Sequence, residues 1–174
     1  NHHLRPLQPV VRRQDGVVER LGRLERGGGL SMHALALTPI DVVYVAAGDS
    51  EGLPNAIVRV SQSGGEPIML TPTRGLARSV QVDAESAYFN DEEGLKKVPL
   101  AGGAVRALVT SAPNAFGVSD NTIYLVDRID SVSTDGAERT ELAWGQARPM
   151  SPLRCGAYVC WINLGDAFDG MLMQ

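Results

Sequence analysis

The chain has 174 residues, of which 44% are hydrophobic and 21% charged, a composition typical of a packed soluble domain and not of a disordered chain. Its net charge is −4 and its 16 Lys and Arg residues are scattered, so it offers no basic stripe for nucleic acid. The longest apolar stretch, at residues 34–47, is interrupted by Thr38, Pro39 and Asp41, so the sequence predicts no transmembrane segment.

The first predicted elements are two short strands around a QDG turn at Gly16, in PVVRRQDGVVERLGRL. This pattern is typical of the third strand, glycine turn and fourth strand of a four-stranded sheet. We therefore predict a partial sheet at residues 5–26. The segment GGGLS at residues 27–31 is followed by neither lysine nor a helical pattern, so we interpret it as a linker and not as a phosphate-binding loop.

Aromatic residues then recur at a regular spacing of about 40 residues, the period of a four-stranded propeller blade. Each lies in a run with the composition of a buried strand: VVYVA, SAYFND, TIYLVD and YVCWIN. The sequence therefore predicts an all-β fold, a β-propeller of four-stranded antiparallel blades. We expect four aromatic residues to occupy equivalent positions in the second strands, namely Tyr44, Tyr88, Tyr124 and Trp161.

We predict a single propeller domain or propeller segment over residues 1–174, with about four blades. Three are complete, at about residues 30–73, 76–111 and 114–146, and a partial blade follows at 148–174. The chain thus begins and ends inside a blade. Either the terminal strands close a ring of about four blades, or the chain is part of a six- to eight-bladed ring. In the second case a protein partner or a second copy completes the ring, because unpaired strand edges and apolar faces favour association.

Two runs, VDAESAYFNDEEGLKKVPLAGGAVRAL and VSDNTIYLVDRIDSVSTDGAERTEL, resemble the repeats of bacterial TolB-like and YWTD-like propellers. In those repeats an Asp turn precedes an aromatic strand, and a strand containing Lys or Arg leads into a Gly corner. The resemblance covers most of residues 35–165. It implies a propeller that serves as a binding platform, without a catalytic residue set. The chain departs from the pattern because it has no YWTD tetrapeptide and because Cys155 replaces the turn Asp of the last repeat.

Acidic residues follow each of the second strands. Because the loops after the second strands share one face of a propeller with the connections between blades, we expect an acidic face that binds a basic partner or a cation. The alternative interpretation is that these are ordinary polar loops of an acidic protein. The candidate binding residues are Asp49, Glu51, Asp91, Glu92, Asp127, Asp166 and Asp169, with Glu93 and Asp130 beside them.

We predict no catalytic residue, no metal site and no cofactor. A lactonase-type hydrolase would place metal ligands where the innermost strands begin, and of the residues there only Asn114 is suitable. His33 has no nucleophile motif of the G-x-S-x-G type with which to form a triad. One alternative function is nevertheless a hydrolase with a metal at the central channel. A second alternative is a glycan-binding propeller that uses Trp144.

The two cysteines, Cys155 and Cys160, would lie roughly 17 Å apart on a straight strand. They can pair only if the chain turns at residues 156–157, and we predict a hairpin disulfide there, with two unpaired thiols as the alternative. A disulfide implies an oxidising compartment. We therefore favour a non-enzymatic, bacterial, extracytoplasmic propeller (periplasmic, cell-surface or secreted) that acts as a protein-binding or assembly module.

Overall fold

The computed structural model describes residues 10–12, 18–20, 32–48, 53–111, 113, 115–126, 129–143, 145–146, 149–163 and 171–173. Every regular element in these ranges is a β-strand, which confirms the predicted all-β class. The strands form five sheets, each made of strands that follow one another in sequence. Such meanders arise because strands joined by short turns pair antiparallel with their neighbours in the chain.

A two-stranded hairpin comes first, and four larger sheets, named I to IV here, follow it. The hairpin consists of β1 (Val10–Arg12) and β2 (Val18–Arg20). Sheet I contains β3 (Met32–Leu37), β4 (Asp41–Ala46), β5 (Ala56–Ser61) and β6 (Ile68–Pro72). Sheet II contains β7 (Ser79–Val82), β8 (Ser86–Asp91), β9 (Gly94–Pro99) and β10 (Arg106–Val109). Sheet III contains β11 (Phe116–Ser119), β12 (Thr122–Leu125), β13 (Ile129–Ser133) and β14 (Arg139–Ala143). Sheet IV contains β15 (Pro149–Cys155), β16 (Tyr158–Asn163) and β17 (Met171–Met173).

The chain divides into two compact units, Asn1–Arg106 and Ala107–Gln174. In the first unit, sheets I and II pack face to face and share a hydrophobic core. Sheet I supplies Val43, Val45 and Ile57, and sheet II supplies Val80, Ala87, Phe89 and Val98. Each fully buried aliphatic or aromatic side chain contributes about 1.5–3 kcal/mol, so this interface stabilises the unit substantially.

In the second unit, sheets III and IV meet through their first strands, β11 and β15. The backbones approach closely at Gly117, where an added Cβ atom would lie 2.0 Å from the carbonyl oxygen of Pro152. Only glycine allows this approach, because every other residue carries a Cβ atom.

The first two strands of all four sheets are joined by hairpins with two-residue turns, which puts the sheets in a common register. The closing pairs are Thr38–Asp41, Asp83–Ser86, Ser119–Thr122 and Cys155–Tyr158. Counted from these pairs, Tyr88 and Tyr124 are the third residues of their second strands, whereas Tyr44 and Trp161 are the fourth. All four are buried in second strands. However, because successive side chains of a strand point to opposite faces, the expectation of four equivalent positions was wrong.

Candidate binding surface

The tight turn between β8 and β9 carries two of the predicted acidic binding residues, Asp91 and Glu92. It lies beside the connection from sheet I to sheet II, because the backbone N–H of Glu92 donates to the carbonyl of Arg74 over 3.2 Å. In the first unit, therefore, the turn after a second strand and the connection between sheets share one end of the structure.

Asp91 does not belong to an exposed acidic surface, because its side chain is completely buried. Its Oδ2 accepts hydrogen bonds from the backbone N–H of Arg74, at 3.0 Å, and from Nζ of Lys96, at 2.8 Å. Its Oδ1 accepts a bond of 3.0 Å from the backbone N–H of Glu93. Asp91 thus fixes the turn to the neighbouring connection. The order Asp-Glu-Glu-Gly is a turn signature that could have indicated this structural role from sequence.

Lys96 balances part of the charge of the turn. Its Nζ lies 2.8 Å from Oδ2 of Asp91 and 2.6 Å from Oε2 of Glu93. Burial alone would lower the pKa of Lys96, but the two carboxylates raise it above its ordinary value. The turn therefore carries three carboxylates against one ammonium group.

Glu92 and Glu93 are exposed and present their carboxylates on this fixed backbone. The Glu92 side chain passes over Gly75, where an added Cβ atom would lie 2.3 Å from Oε1 of Glu92. Gly75 also has a φ of +64°, so that it serves both the tight connection and the position of Glu92. We name Glu92 and Glu93, with the anchoring residues Asp91 and Lys96, the acidic turn.

For the other predicted acidic residues, the structure gives no contact with the acidic turn among the described residues. Asp130 is buried and its Oδ2 accepts hydrogen bonds from Arg139, so it too has a structural role. Five of the predicted binding residues lie outside the described residues: Asp49, Glu51, Asp127, Asp166 and Asp169. Asn114 and Trp144 also lie outside them, and the side chain of His33 is not described.

In sheet IV, Cys155 and Cys160 form the predicted disulfide across the hairpin of β15 and β16, with their Cα atoms 5.9 Å apart. Gly156 makes the turn with a φ of +65°. In sheet II the register-equivalent pair is Asp83 and Tyr88, which are joined by a hydrogen bond of 2.6 Å. The same two positions are thus linked covalently in one sheet and by a hydrogen bond in another.

One face of the β15–β16 hairpin is apolar and open to solvent. The register pairs Met150 with Ile162 and Leu153 with Cys160, so these side chains share a face with Tyr158. All of them except Cys160 are exposed. The sequence interpretation missed this surface, although the alternation of Tyr158, Cys160 and Ile162 is a signal of period two. We name Met150, Leu153, Tyr158 and Ile162 the apolar face.

Among the described residues, no three His, Cys, Asp or Glu side chains come close enough together to hold a metal ion. In the same part of the chain, no helix has the length and apolar character needed to cross a bilayer.

No protein-family model and no curated protein matches the chain. Solved structures do match it. A chain of the nidogen/laminin complex is 17% identical with a TM-score of 0.63, and the match covers 91% of this chain and 66% of that one. The computationally designed Ika4 protein is also 17% identical, with a TM-score of 0.63, over 89% of this chain and 97% of that one. The designed Ika8 protein is 18% identical, with a TM-score of 0.60, over 87% of this chain and 51% of that one.

These similarities concern the fold, because the identities are low. The chain has a β-propeller-type fold of antiparallel sheets, as its sequence predicted. It spans about two thirds of the length of the nidogen/laminin chain and about half of the Ika8 chain. The narrower resemblance to TolB-like or YWTD-like repeats stays a prediction.

Proposed function

We propose that this chain is a non-enzymatic protein-binding module that recognises a basic partner through the acidic turn. The observation that carries the proposal is that Glu92 and Glu93 are exposed on a backbone fixed by the buried carboxylate of Asp91. A rigid surface loses little conformational entropy when it binds, so charges held in this way favour recognition more than charges on a mobile loop. The nidogen/laminin match supports a binding role, since that propeller was crystallised in a protein complex.

The charge of the turn determines the kind of partner. Lys96 offsets the buried Asp91 and contacts Glu93, which leaves the turn with a net negative charge. Exposed like charges steer an oppositely charged protein towards the surface and are screened by salt. The expected partner surface is therefore rich in lysine or arginine, and its association should weaken as ionic strength rises.

Charge reversal at Glu92 tests this proposal. The purified chain, Glu92→Lys and the control Glu138→Lys are immobilised and used to capture proteins from a bacterial periplasmic extract, with quantification by mass spectrometry. Glu138 is an exposed acidic residue in the turn between β13 and β14, away from the acidic turn in sequence. We expect a basic protein whose capture is lost with Glu92→Lys alone. Identical capture by all three proteins would refute the role of the acidic turn.

The non-enzymatic part of the proposal has its own test. Metal analysis of the purified chain, together with a hydrolysis assay on simple lactones, separates a binding module from a lactonase-type hydrolase. We expect neither a stoichiometric metal nor turnover. A stoichiometric metal accompanied by turnover would favour the hydrolase.

The disulfide supports an extracytoplasmic location, because structural disulfides persist in oxidising compartments. We propose the periplasm, the cell surface or the medium as the place where the module acts. Fractionation of cells that express the native gene tests this location directly, and recovery of the protein in the cytoplasm would contradict it.

A further inference from the structure

We infer that the apolar face of sheet IV binds a second copy of this chain. The inference goes beyond the proposed binding of a basic partner, and it concerns a surface separate from the acidic turn. Four large apolar side chains are involved, and their exposed fractions are 44% for Met150, 52% for Leu153, 65% for Tyr158 and 41% for Ile162. Contiguous exposed apolar side chains of this kind mark interaction sites more often than single ones do.

In sheet I, equivalent positions are covered by a neighbouring sheet. Tyr158, Cys160 and Ile162 are the first, third and fifth residues of β16, and in β4 these positions are Asp41, Val43 and Val45. The β4 residues are only 8%, 0% and 0% exposed. Val43 and Val45 are covered because sheet II packs on this face of sheet I. The apolar face of sheet IV therefore has the register of a surface that receives another sheet.

The first strands of these sheets show the same contrast. In sheet I, Ala36 lies opposite Val43 and packs against the core shared with sheet II. Its counterpart in sheet IV is Leu153, which lies opposite Cys160 and is half exposed. A larger apolar side chain thus occupies a position that is covered in one sheet and open in the other.

A second copy offers a matching surface on the innermost strand of its sheet I. Leu35 and Leu37 lie opposite Tyr44 and Val42, and they are 53% and 57% exposed. In sheet II the same register positions are Val80 and Val82, the residues that pack on sheet I. Val42 and Tyr44 on this face are themselves buried, so Leu35 and Leu37 are the part that remains accessible. Sheet I of one copy therefore offers the side chains of its innermost strand to sheet IV of another, at the register positions that sheet II uses to pack on sheet I.

The choice of a second copy over an unrelated protein follows from this internal match of register and exposure. A head-to-tail interface of this kind closes into a ring when the rotation between copies allows it. Two copies related in this way would bury both apolar surfaces.

The oligomeric state tests the inference. Sedimentation equilibrium over a series of protein concentrations is measured for the unmodified chain, Leu153→Glu, Leu37→Glu and the control Ile40→Glu. Ile40 is 70% exposed in the turn between β3 and β4, so the control adds the same charge at an exposed apolar residue outside both surfaces. Circular dichroism and thermal unfolding establish that each variant is folded.

We expect the unmodified chain and Ile40→Glu to be dimers at micromolar concentration. Leu153→Glu and Leu37→Glu should each raise the dissociation constant by about tenfold or more, because each removes a buried leucine from the interface and introduces a charge. A monomeric unmodified chain, or a dimer that Leu153→Glu leaves intact, overturns the inference. A dimer weakened by Leu153→Glu but not by Leu37→Glu overturns the assignment of the sheet I surface. None of these outcomes depends on Glu92. The proposed binding of a basic partner through the acidic turn can therefore fail or stand independently of the dimer.

Discussion

The hydroxyl of Tyr88 donates a hydrogen bond of 2.6 Å to Oδ2 of Asp83 across the hairpin of β7 and β8. The other carboxylate oxygen, Oδ1, accepts bonds from the backbone N–H groups of Glu85 and Ser86 at 2.8 and 2.7 Å. Burial alone would raise the pKa of Asp83, but these hydrogen bonds and the nearby charge of Lys97 lower it below its ordinary value. The hairpin is therefore fastened through a carboxylate that is most stable when ionised.

Tyr88→Phe should lower the free energy of unfolding by about 1–3 kcal/mol at neutral pH, because it removes a buried, charge-assisted hydrogen bond. A lowered pKa stabilises the fold above the ordinary pKa of the carboxyl, and this stabilisation is lost as the pH falls through the folded-state value. The gap between the unmodified chain and Tyr88→Phe should therefore narrow in acid. Urea denaturation at neutral pH and near pH 3 measures both effects. A gap that does not change with pH would contradict the assigned role of Asp83.

Tyr44→Phe should have the opposite effect in sheet I. The Tyr44 hydroxyl is buried and has no hydrogen-bond partner among the described residues. Because an unsatisfied buried hydroxyl costs about 1–3 kcal/mol, its removal should leave stability at neutral pH unchanged or raise it. A loss of stability as large as that of Tyr88→Phe would show that the hydroxyl has a partner.

The same variant should change the response to alkali. Burial raises the pKa of Tyr44 to about 12. A raised pKa means that stability is fully present below the ordinary value near 10 and declines as the pH rises towards the folded-state value. Tyr44→Phe should lack this contribution to alkaline unfolding. Denaturation curves at pH 9 and pH 11 for both proteins provide the measurement, and an unchanged alkaline loss would assign it to other groups.

Breaking the link between Cys155 and Cys160 should destabilise sheet IV. Titration of the unreduced chain should find no free thiol, since these are the two cysteines of the sequence and they are bonded to each other. A disulfide that closes so short a loop contributes about 2 kcal/mol in the chain-entropy account. Cys155→Ser combined with Cys160→Ser should lose about that amount. Reduction of the unmodified chain serves as the control and should give a matching loss, whereas no effect of either would contradict the prediction.

Gly117→Ala should destabilise the second unit strongly, because its Cβ atom would meet the carbonyl oxygen of Pro152 at 2.0 Å. Backbone on both sides must shift, at a cost of about 3 kcal/mol or more. The control Gly145→Ala has open space around the new Cβ atom and a φ of +69°, so it bears only backbone strain of about 1–2 kcal/mol. Thermal unfolding should rank Gly117→Ala as the less stable variant, and the reverse order would show that the strands separate easily.

The order of strands could be predicted from sequence because aromatic runs and glycine corners repeat along the chain. Gly136, for example, has a φ of +73°, as a tight corner requires. The face to which each aromatic side chain points could not be predicted in the same way. It depends on whether a residue is third or fourth after the hairpin turn, and a shift of one residue, as between Tyr44 and Tyr88, reverses the face.

The binding surfaces were predicted less well than the fold. Asp91 and Glu92 are neighbours of the same charge, yet Asp91 is buried as a turn anchor and Glu92 is exposed. Composition cannot distinguish them, because the difference arises from the backbone N–H of Arg74, which is distant in sequence. The exposure of Leu153 was equally inaccessible from sequence, since Ala36 and Leu153 are both apolar residues on predicted first strands and their exposure depends on what packs on them.

Cys155 and Cys160 occupy in sheet IV the positions that Asp83 and Tyr88 occupy in sheet II. The same cross-strand link is thus a disulfide in one sheet and a hydrogen bond in the other. A disulfide responds to the electron donors of its surroundings, whereas a carboxylate hydrogen bond responds to acidity. Reducing agents should thus loosen the hairpin of sheet IV and leave that of sheet II intact, and acid should do the reverse. Near neutral pH in an oxidising medium, the disulfide and the hydrogen bond are both formed.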